Sequence, residues 1–238
     1  MTKYRLYYWP IPFRGNFVRL VFAYQGIDYE EAASAEISDL RLTPVRDQPT
    51  PAMAPPFLQN LEDGGYVSQT GAILLYLGQK HGLLPEDPAQ LPMVMKIFGD
   101  CMDVLSEITR SNGAQMWDRE AWESFRQRRL VRWLEIFEEV GRRSGLTMDE
   151  GHLLGGQQVT VADLNAFALW ATMERCLPRL RPTLREHAPL VMSLCDRLGE
   201  NAGIGAFVRN QEEEMGERSC GGMIEASIRE MLSGPAEP

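Results

Sequence analysis

The sequence predicts an α/β domain followed by an all-α domain, and three observations carry that prediction. An aromatic run, Tyr4-Arg5-Leu6-Tyr7-Tyr8-Trp9, opens a segment in which strand and helix patterns alternate. Three prolines, Pro85, Pro88 and Pro92, then fall within a few residues, which no continuous helix tolerates. Beyond them the apolar spacing is helical, as in Trp122, Phe125, Leu130, Trp133, Leu134, Phe137 and Val140. The expected organisation is an α/β unit over residues 1–82, a linker over 83–91, a helical domain over 92–210, and a tail over 211–238 with a short amphipathic helix.

Element by element, the aromatic run reads as a strand stopped by Pro10 and Pro12. From Arg14 to Gln25 the residues Phe17, Leu20, Val21 and Tyr24 recur at helical spacing, with Gly26 placed to cap the C-terminus. Ile27 to Ala32 is a second strand. Phe57 to Leu61 and Tyr66-Val67 form a hairpin around Glu62-Asp63-Gly64-Gly65, and Thr70 to Lys80 is a helix ended by Gly82. That βαβ and ββα order is the order of a thioredoxin-like half. In the helical domain, Thr160-Val161-Ala162-Asp163 is a capping-box variant. The helix it opens is apolar nearly all round, so it is expected at the centre of the domain.

Composition excludes several function classes. The 238 residues are 44% hydrophobic and 24% charged, the balance of an ordinary folded protein. A formal net charge of −9 argues against a nucleic-acid footprint, which needs clustered Lys and Arg. The first residues lack the apolar core of a signal peptide and no apolar run reaches membrane-spanning length, so a cytoplasmic protein without membrane partners is expected. Cys101, Cys176, Cys195 and Cys220 are widely spaced, and His81, His152 and His187 are isolated, so reduced core thiols and no metal are expected.

The chemistry concentrates at Ser68-Gln69-Thr70. A helix start offers free backbone amides and a dipole that favour an anion, here with a hydroxyl and an amide side chain beside them. Ser68 or Thr70 could equally cap its own helix. Pro55-Pro56-Phe57-Leu58, a hairpin and Gln69-Thr70-Gly71-Ala72-Ile73, then Gly155-Gly156, Thr160-Val161-Ala162-Asp163 and Gly203-Ile204-Gly205-Ala206-Phe207, together resemble the glutathione transferase family. The N-terminal stretch from Tyr4 through Arg14 and Arg19 to Tyr29-Glu30 looks like its tyrosine-type members, above all the sigma and alpha classes.

That resemblance implies a thioredoxin-like domain followed by the family's all-helical domain, a homodimer, and glutathione as co-substrate. By position, Tyr8 would donate a hydrogen bond to the glutathione sulfur and Arg14 would help hold the thiolate. A thiol of pKa near 8.5 is only about 3% ionised at pH 7, so a shift of about two units makes it mostly thiolate. Gln69 and Thr70 would hold the γ-glutamyl end, Asp103 would reach the γ-glutamyl amine across a dimer interface, and Ala54, Pro55 and Pro56 would form the cis-proline segment that pairs with the glutathione cysteine. Either Pro55 or Pro56 could be the cis residue; only with Pro55 cis does the residue before the bond, Ala54, keep its N–H.

This chain departs from the pattern in places. Pro10-Ile11-Pro12-Phe13 replaces the usual glycine-containing turn and makes the entrance stiffer and more apolar. No serine or cysteine stands between Pro12 and Gly15, so nucleophile-type members of the family are disfavoured. Asp39 and Thr43 occupy the positions of the sigma-type glycine-end contacts, for which Arg41 or Arg46 could substitute. Trp9, Ile11, Phe13, Met116 and Trp117 are the candidates for an apolar acceptor pocket. In the tail, Ile224, Ile228, Met231 and Leu232 make an apolar stripe that packs on the domain or lids the pocket. The expected activity is conjugation of the glutathione thiolate to an apolar electrophile. A non-catalytic binding protein on the same fold, or a glutathione-dependent isomerase or reductase, is the alternative.

Overall fold

The computed structural model describes residues 2–233; the expected tail continues over 234–238, outside the described residues. Strands β1 (Tyr4–Tyr7), β2 (Tyr29–Glu31), β3 (Phe57–Asn60) and β4 (Tyr66–Ser68) form one sheet in the order β2-β1-β3-β4. β1 and β2 are parallel, whereas β1–β3 and β3–β4 are antiparallel. A parallel pair needs a crossover, and helix α1 (Gly15–Gln25) supplies it. Gly26, at φ 62, ends α1 by donating its N–H to the carbonyls of Phe22 and Ala23, as the sequence leads one to expect. Helix α2 (Ser34–Leu42) has no counterpart in the sequence reading: Ile37 is its one buried residue, and a single apolar position sets no period. Helix α3 (Thr70–Lys80) has the predicted bounds.

Strand alternation sorts the aromatic run. Tyr4, Leu6 and Tyr8 join the main core, while Tyr7 packs on the opposite face with Ala32, Ile37 and Phe57. That main core continues without a break from the sheet into the helices. Helix α4 (Leu91–Ile108) leads into α5, residues 119–143, and α6, residues 161–176. Both α5 and α6 contain a π-helical turn, Phe125–Leu130 and Phe167–Ala171. Asp163 sits fully buried at the start of α6, where its carboxylate accepts from Thr160 N at 2.8 Å and Leu153 N at 2.7 Å. The expected capping box is thus present, and α6 is buried from Val161 to Trp170. Helices α7 (Arg181–His187), α8 (Pro189–Gly199) and α9 (Ala202–Met215) complete the bundle.

Two close contacts lock α1 to the helical half. Asn16 and Gln211 exchange side-chain hydrogen bonds of 2.9 and 2.8 Å, both residues being buried. Gly203, near the start of α9, lies so close to α1 that a Cβ there would stand 2.0 Å from the Ala23 carbonyl oxygen.

The apolar stripe of the tail forms helix α10 (Gly222–Leu232), with Ile224, Ile228 and Met231 buried. Ser227 Oγ accepts the buried Trp117 amide at 2.9 Å, and Arg119 Nη1 donates to Met231 O at 2.5 Å. The Glu225 carboxylate collects the amides of Ser219, Cys220 and Gly221, fixing the loop that precedes α10. Ser227→Ala leaves the Trp117 N–H without an acceptor, so we expect a loss of about 1–2 kcal/mol, read as a lower midpoint in thermal unfolding.

Candidate functional site

The sheet register brings the predicted site residues to one end. Tyr7 pairs with Phe57, and Phe57 with Ser68. The next residue outward on each strand is therefore Tyr8, Pro56 and Gln69. Adjacent strands lie about 4.8 Å apart, so Tyr8 and Gln69 flank a cleft of roughly 10 Å with the Pro55–Pro56 segment between them. The Pro55–Pro56 peptide bond is cis, which answers the choice the sequence leaves open in favour of Pro56. Pro55 is half-buried and lacks an amide to donate; its carbonyl and the exposed Ala54 remain as backbone partners.

At one side of the cleft, Tyr8 is 5% exposed and its hydroxyl oxygen accepts the Arg14 amide at 3.2 Å. Burial pushes its pKa up to about 12, against the opposing pull of Arg14 and Arg19. At neutral pH Tyr8 is therefore a phenol with a proton to donate. Gly15 is obligatory beneath it, since a Cβ at that position would meet the Tyr8 ring at 2.4 Å. Two arginines flank the ring. Arg19, 3% exposed, is paired with Glu31 at 2.7 Å and bonded to the carbonyls of Ile11 and Trp9. Arg14 stands over the Phe13 ring at 4.6 Å, donates to Asn112 Oδ1 at 2.9 Å, and makes no ion pair among the described residues.

On the other side, α3 begins without any side-chain cap. Neither Ser68 nor Thr70 closes its first turn, so its leading amides are available to an anion. Gln69, exposed, has φ 72, a conformation that costs energy for a residue with a side chain, and it turns the chain sharply into the buried Thr70. Asp103 is exposed on α4. Asp39, Arg41 and Arg46 are also exposed, Arg46 beside Asp47 at 3.5 Å.

Next to the cleft, a small pocket of about 40 Å³ is walled by Phe13, Leu105, Ile108, Leu169, Met173 and Ile228, with Cys220 also in its lining. A second, of about 230 Å³, shares Phe13 and Cys220 and adds Asn112 and Met116. The loop before α10 closes over both: Phe13 N donates to Ser219 O at 3.1 Å. The tail helix thus packs on its own domain, and the loop before it borders both cavities. Of the pocket candidates, Phe13 and Met116 line these cavities. Trp117 does not: it is 8% exposed, meets Trp122 edge-to-face and Phe125 at a tilt, and faces a different cleft with Arg110. Trp9 and Ile11 pack on the core and lend their carbonyls to Arg19. Sequence reasoning missed Cys220 and Asn112. Burial pushes the Cys220 thiol up to about 11, which makes it a wall of the pocket and a poor nucleophile. Only the Asn112-Gly113 pair, a turn signal, marked the second.

Among the described residues no group of three His, Cys, Asp or Glu gathers as a metal site, and no helix is long and apolar enough to cross a membrane.

Comparison with known proteins bears on this arrangement. A family model described as the C-terminal domain of glutathione S-transferase matches residues 93–231. A putative glutathione S-transferase alpha-3 of Dictyostelium discoideum is 22% identical over 213 residues, covering 89% of this chain and 97% of that protein. A probable glutathione S-transferase 6 of Caenorhabditis elegans is 30% identical over 109 residues, 46% of this chain and half the length of that relative. Among solved structures, the pi-class glutathione S-transferase of Onchocerca volvulus superposes with a TM-score of 0.74 at 18% identity, over 93% of this chain and 99% of that one, which shows the shared fold. With the family model spanning more than half of its length, the chain belongs to the glutathione S-transferase family.

Proposed function

We propose that the protein activates glutathione as a thiolate beside Tyr8 and transfers it to an apolar electrophile held under α10. The observation that carries this reading is the row Tyr8, Pro56 and Gln69 at one end of the sheet. Its span of roughly 10 Å is the reach of an extended tripeptide, about 3.3 Å per residue. The uncapped start of α3 receives the γ-glutamyl carboxylate and Thr70 closes that end. The backbone at Pro55 accepts the amide of the cysteine, and the sulfur lies at the Tyr8 hydroxyl. Arg14 contributes positive charge, which favours the thiolate. Attack forms a carbon–sulfur bond and expels the leaving group of the electrophile, and the proton lost from the thiol goes to solvent. The half-site is completed by Asp103 of a second subunit, in a dimer of two-domain chains, 1–82 and 92–210.

Retention on immobilised glutathione with elution by free glutathione tests the binding half of this reading, and turnover of an aryl halide tests the chemical half. Binding without turnover favours the alternative of a non-catalytic binding protein; no retention removes the proposed half-site. Turnover of a disulfide or an isomerisable carbonyl compound in place of the aryl halide assigns the same thiolate to a reductase or isomerase.

A further inference from the structure

Arg14 is the cation this reading relies on, and its surroundings are unusual for an arginine beside a working site. The groups it meets are uncharged: the Phe13 ring, the Tyr8 hydroxyl and the amide oxygen of Asn112. Arg19, the other cation near Tyr8, is neutralised by Glu31, and the nearby Glu225 is occupied by Arg229 and three backbone amides. Burial also lowers the pKa of Arg14, which shows a charge partly removed from water.

The segment that delivers Asn112 is strained. Arg110, Ser111 and Asn112 have φ of 46, 57 and 57, and Gly113 follows at 85. Left-handed conformation is unfavourable for residues with a Cβ and occurs routinely in single residues, not in runs of three. Buried Thr109 holds the run in place: its hydroxyl accepts Asn112 N at 3.1 Å and its carbonyl accepts Gly113 N at 2.7 Å. Strain of this kind persists where the surroundings over-determine it, and it clusters at functional sites. The run turns Arg110 onto the Trp117 ring and toward Gln115, and it presents Asn112 to Arg14 in a hydrogen bond of 2.9 Å.

We propose that Asn112 is a positioning residue for the transfer reaction: presented by the left-handed turn 110–113, its amide oxygen holds the Arg14 guanidinium beside the sulfur site without neutralising its charge. An aspartate at this position would grip the guanidinium equally well but cancel the charge that the thiolate needs. A shorter residue would release it toward solvent. This inference rests on the reading of Tyr8 and Arg14 as the sulfur site.

The test is a pH titration of the ultraviolet thiolate band of glutathione bound to the full chain, in the native protein, N112D, N112G and R14A. N112D is expected to raise the midpoint by about one pH unit, because an ion pair sequesters the cation. N112G is expected to raise it by less, with about threefold less thiolate at neutral pH, while its thermal midpoint stays at or above that of the native chain, since glycine takes φ 57 freely. A merely structural Asn112 gives the opposite pattern, in which both variants titrate as the native protein does while R14A is shifted; that result overturns the proposal. If R14A titrates like the native protein, Arg14 is not the relevant cation, and the reading of the site falls together with the role of Asn112.

Discussion

Replacing Tyr8 by Phe is expected to lower turnover of an aryl halide at neutral pH between about tenfold and a hundredfold while leaving glutathione affinity nearly unchanged. A hydrogen bond to a charged sulfur contributes about 1.5–3 kcal/mol. Its loss raises the thiol pKa by about one to two units, and the thiolate fraction falls in proportion. Affinity is spared if, as proposed, Tyr8 reaches only the sulfur and the γ-glutamyl end is held two strands away at Gln69 and Thr70. Phe keeps the ring that crosses Gly15, so the packing of α1 survives and a loss of activity is not a loss of fold. The sign of the pH dependence is an independent check. Because burial holds the Tyr8 hydroxyl near pKa 12, its proton is present throughout the neutral range. The activity of the native protein should therefore rise with pH through the thiol midpoint alone and reach a plateau. Tyr8→Phe should show the same rise displaced to higher pH. Unaltered turnover and an unaltered profile remove Tyr8 from the mechanism.

The largest structural effect is expected from Gly203→Ala. The added Cβ would stand 2.0 Å from the carbonyl oxygen and 3.0 Å from the carbonyl carbon of Ala23, backbone atoms of a helix that cannot rotate away. The seam between α1 and α9 must open, and overpacking against backbone costs about 3 kcal/mol. For a chain of this size that is a fall of roughly 6–12 °C in the thermal midpoint. Activity should fall with it even well below the unfolding transition, because Arg14 caps the N-terminal end of α1 and displacing the helix moves the guanidinium from the proposed sulfur site. Ser in place of Gly203 should behave like Ala, since the same Cβ is at fault. A variant with native stability contradicts the close approach.

How far the sequence could be read depended on the range of the interaction. α1 and α3 were legible with their ends because apolar period, Gly26 and Gly82 are local signals. Tyr8, Pro56 and Gln69 were legible as a set only through resemblance, because their common end of the sheet is a product of register between strands distant in the chain. α2 was invisible for want of a buried stripe. Trp117 shows the limit from the other side: an aromatic residue beside a substrate-pocket candidate, Met116, turned inward to Trp122 and Phe125, which residue type alone could not decide. The role of the loop before α10 depends on Phe13 N meeting Ser219 O, a contact spanning almost the whole chain. Asn112 was hidden for a related reason, since a turn signal says that the backbone reverses and not which side chain it presents.

The reciprocal amide pair between Asn16 and Gln211 has a consequence for how halves of such proteins can be recombined. Each amide is complete only when the other half supplies its mate, and Arg175 and Thr172 add further bonds to the same two side chains. A chimera that takes its sheet half from this chain and its helical half from a relative lacking the glutamine would leave the buried Asn16 side-chain oxygen without its Gln211 donor, at about 1–3 kcal/mol. The two halves thus carry a short matching code, and compatibility between parents can be screened by reading those two positions before any gene is assembled.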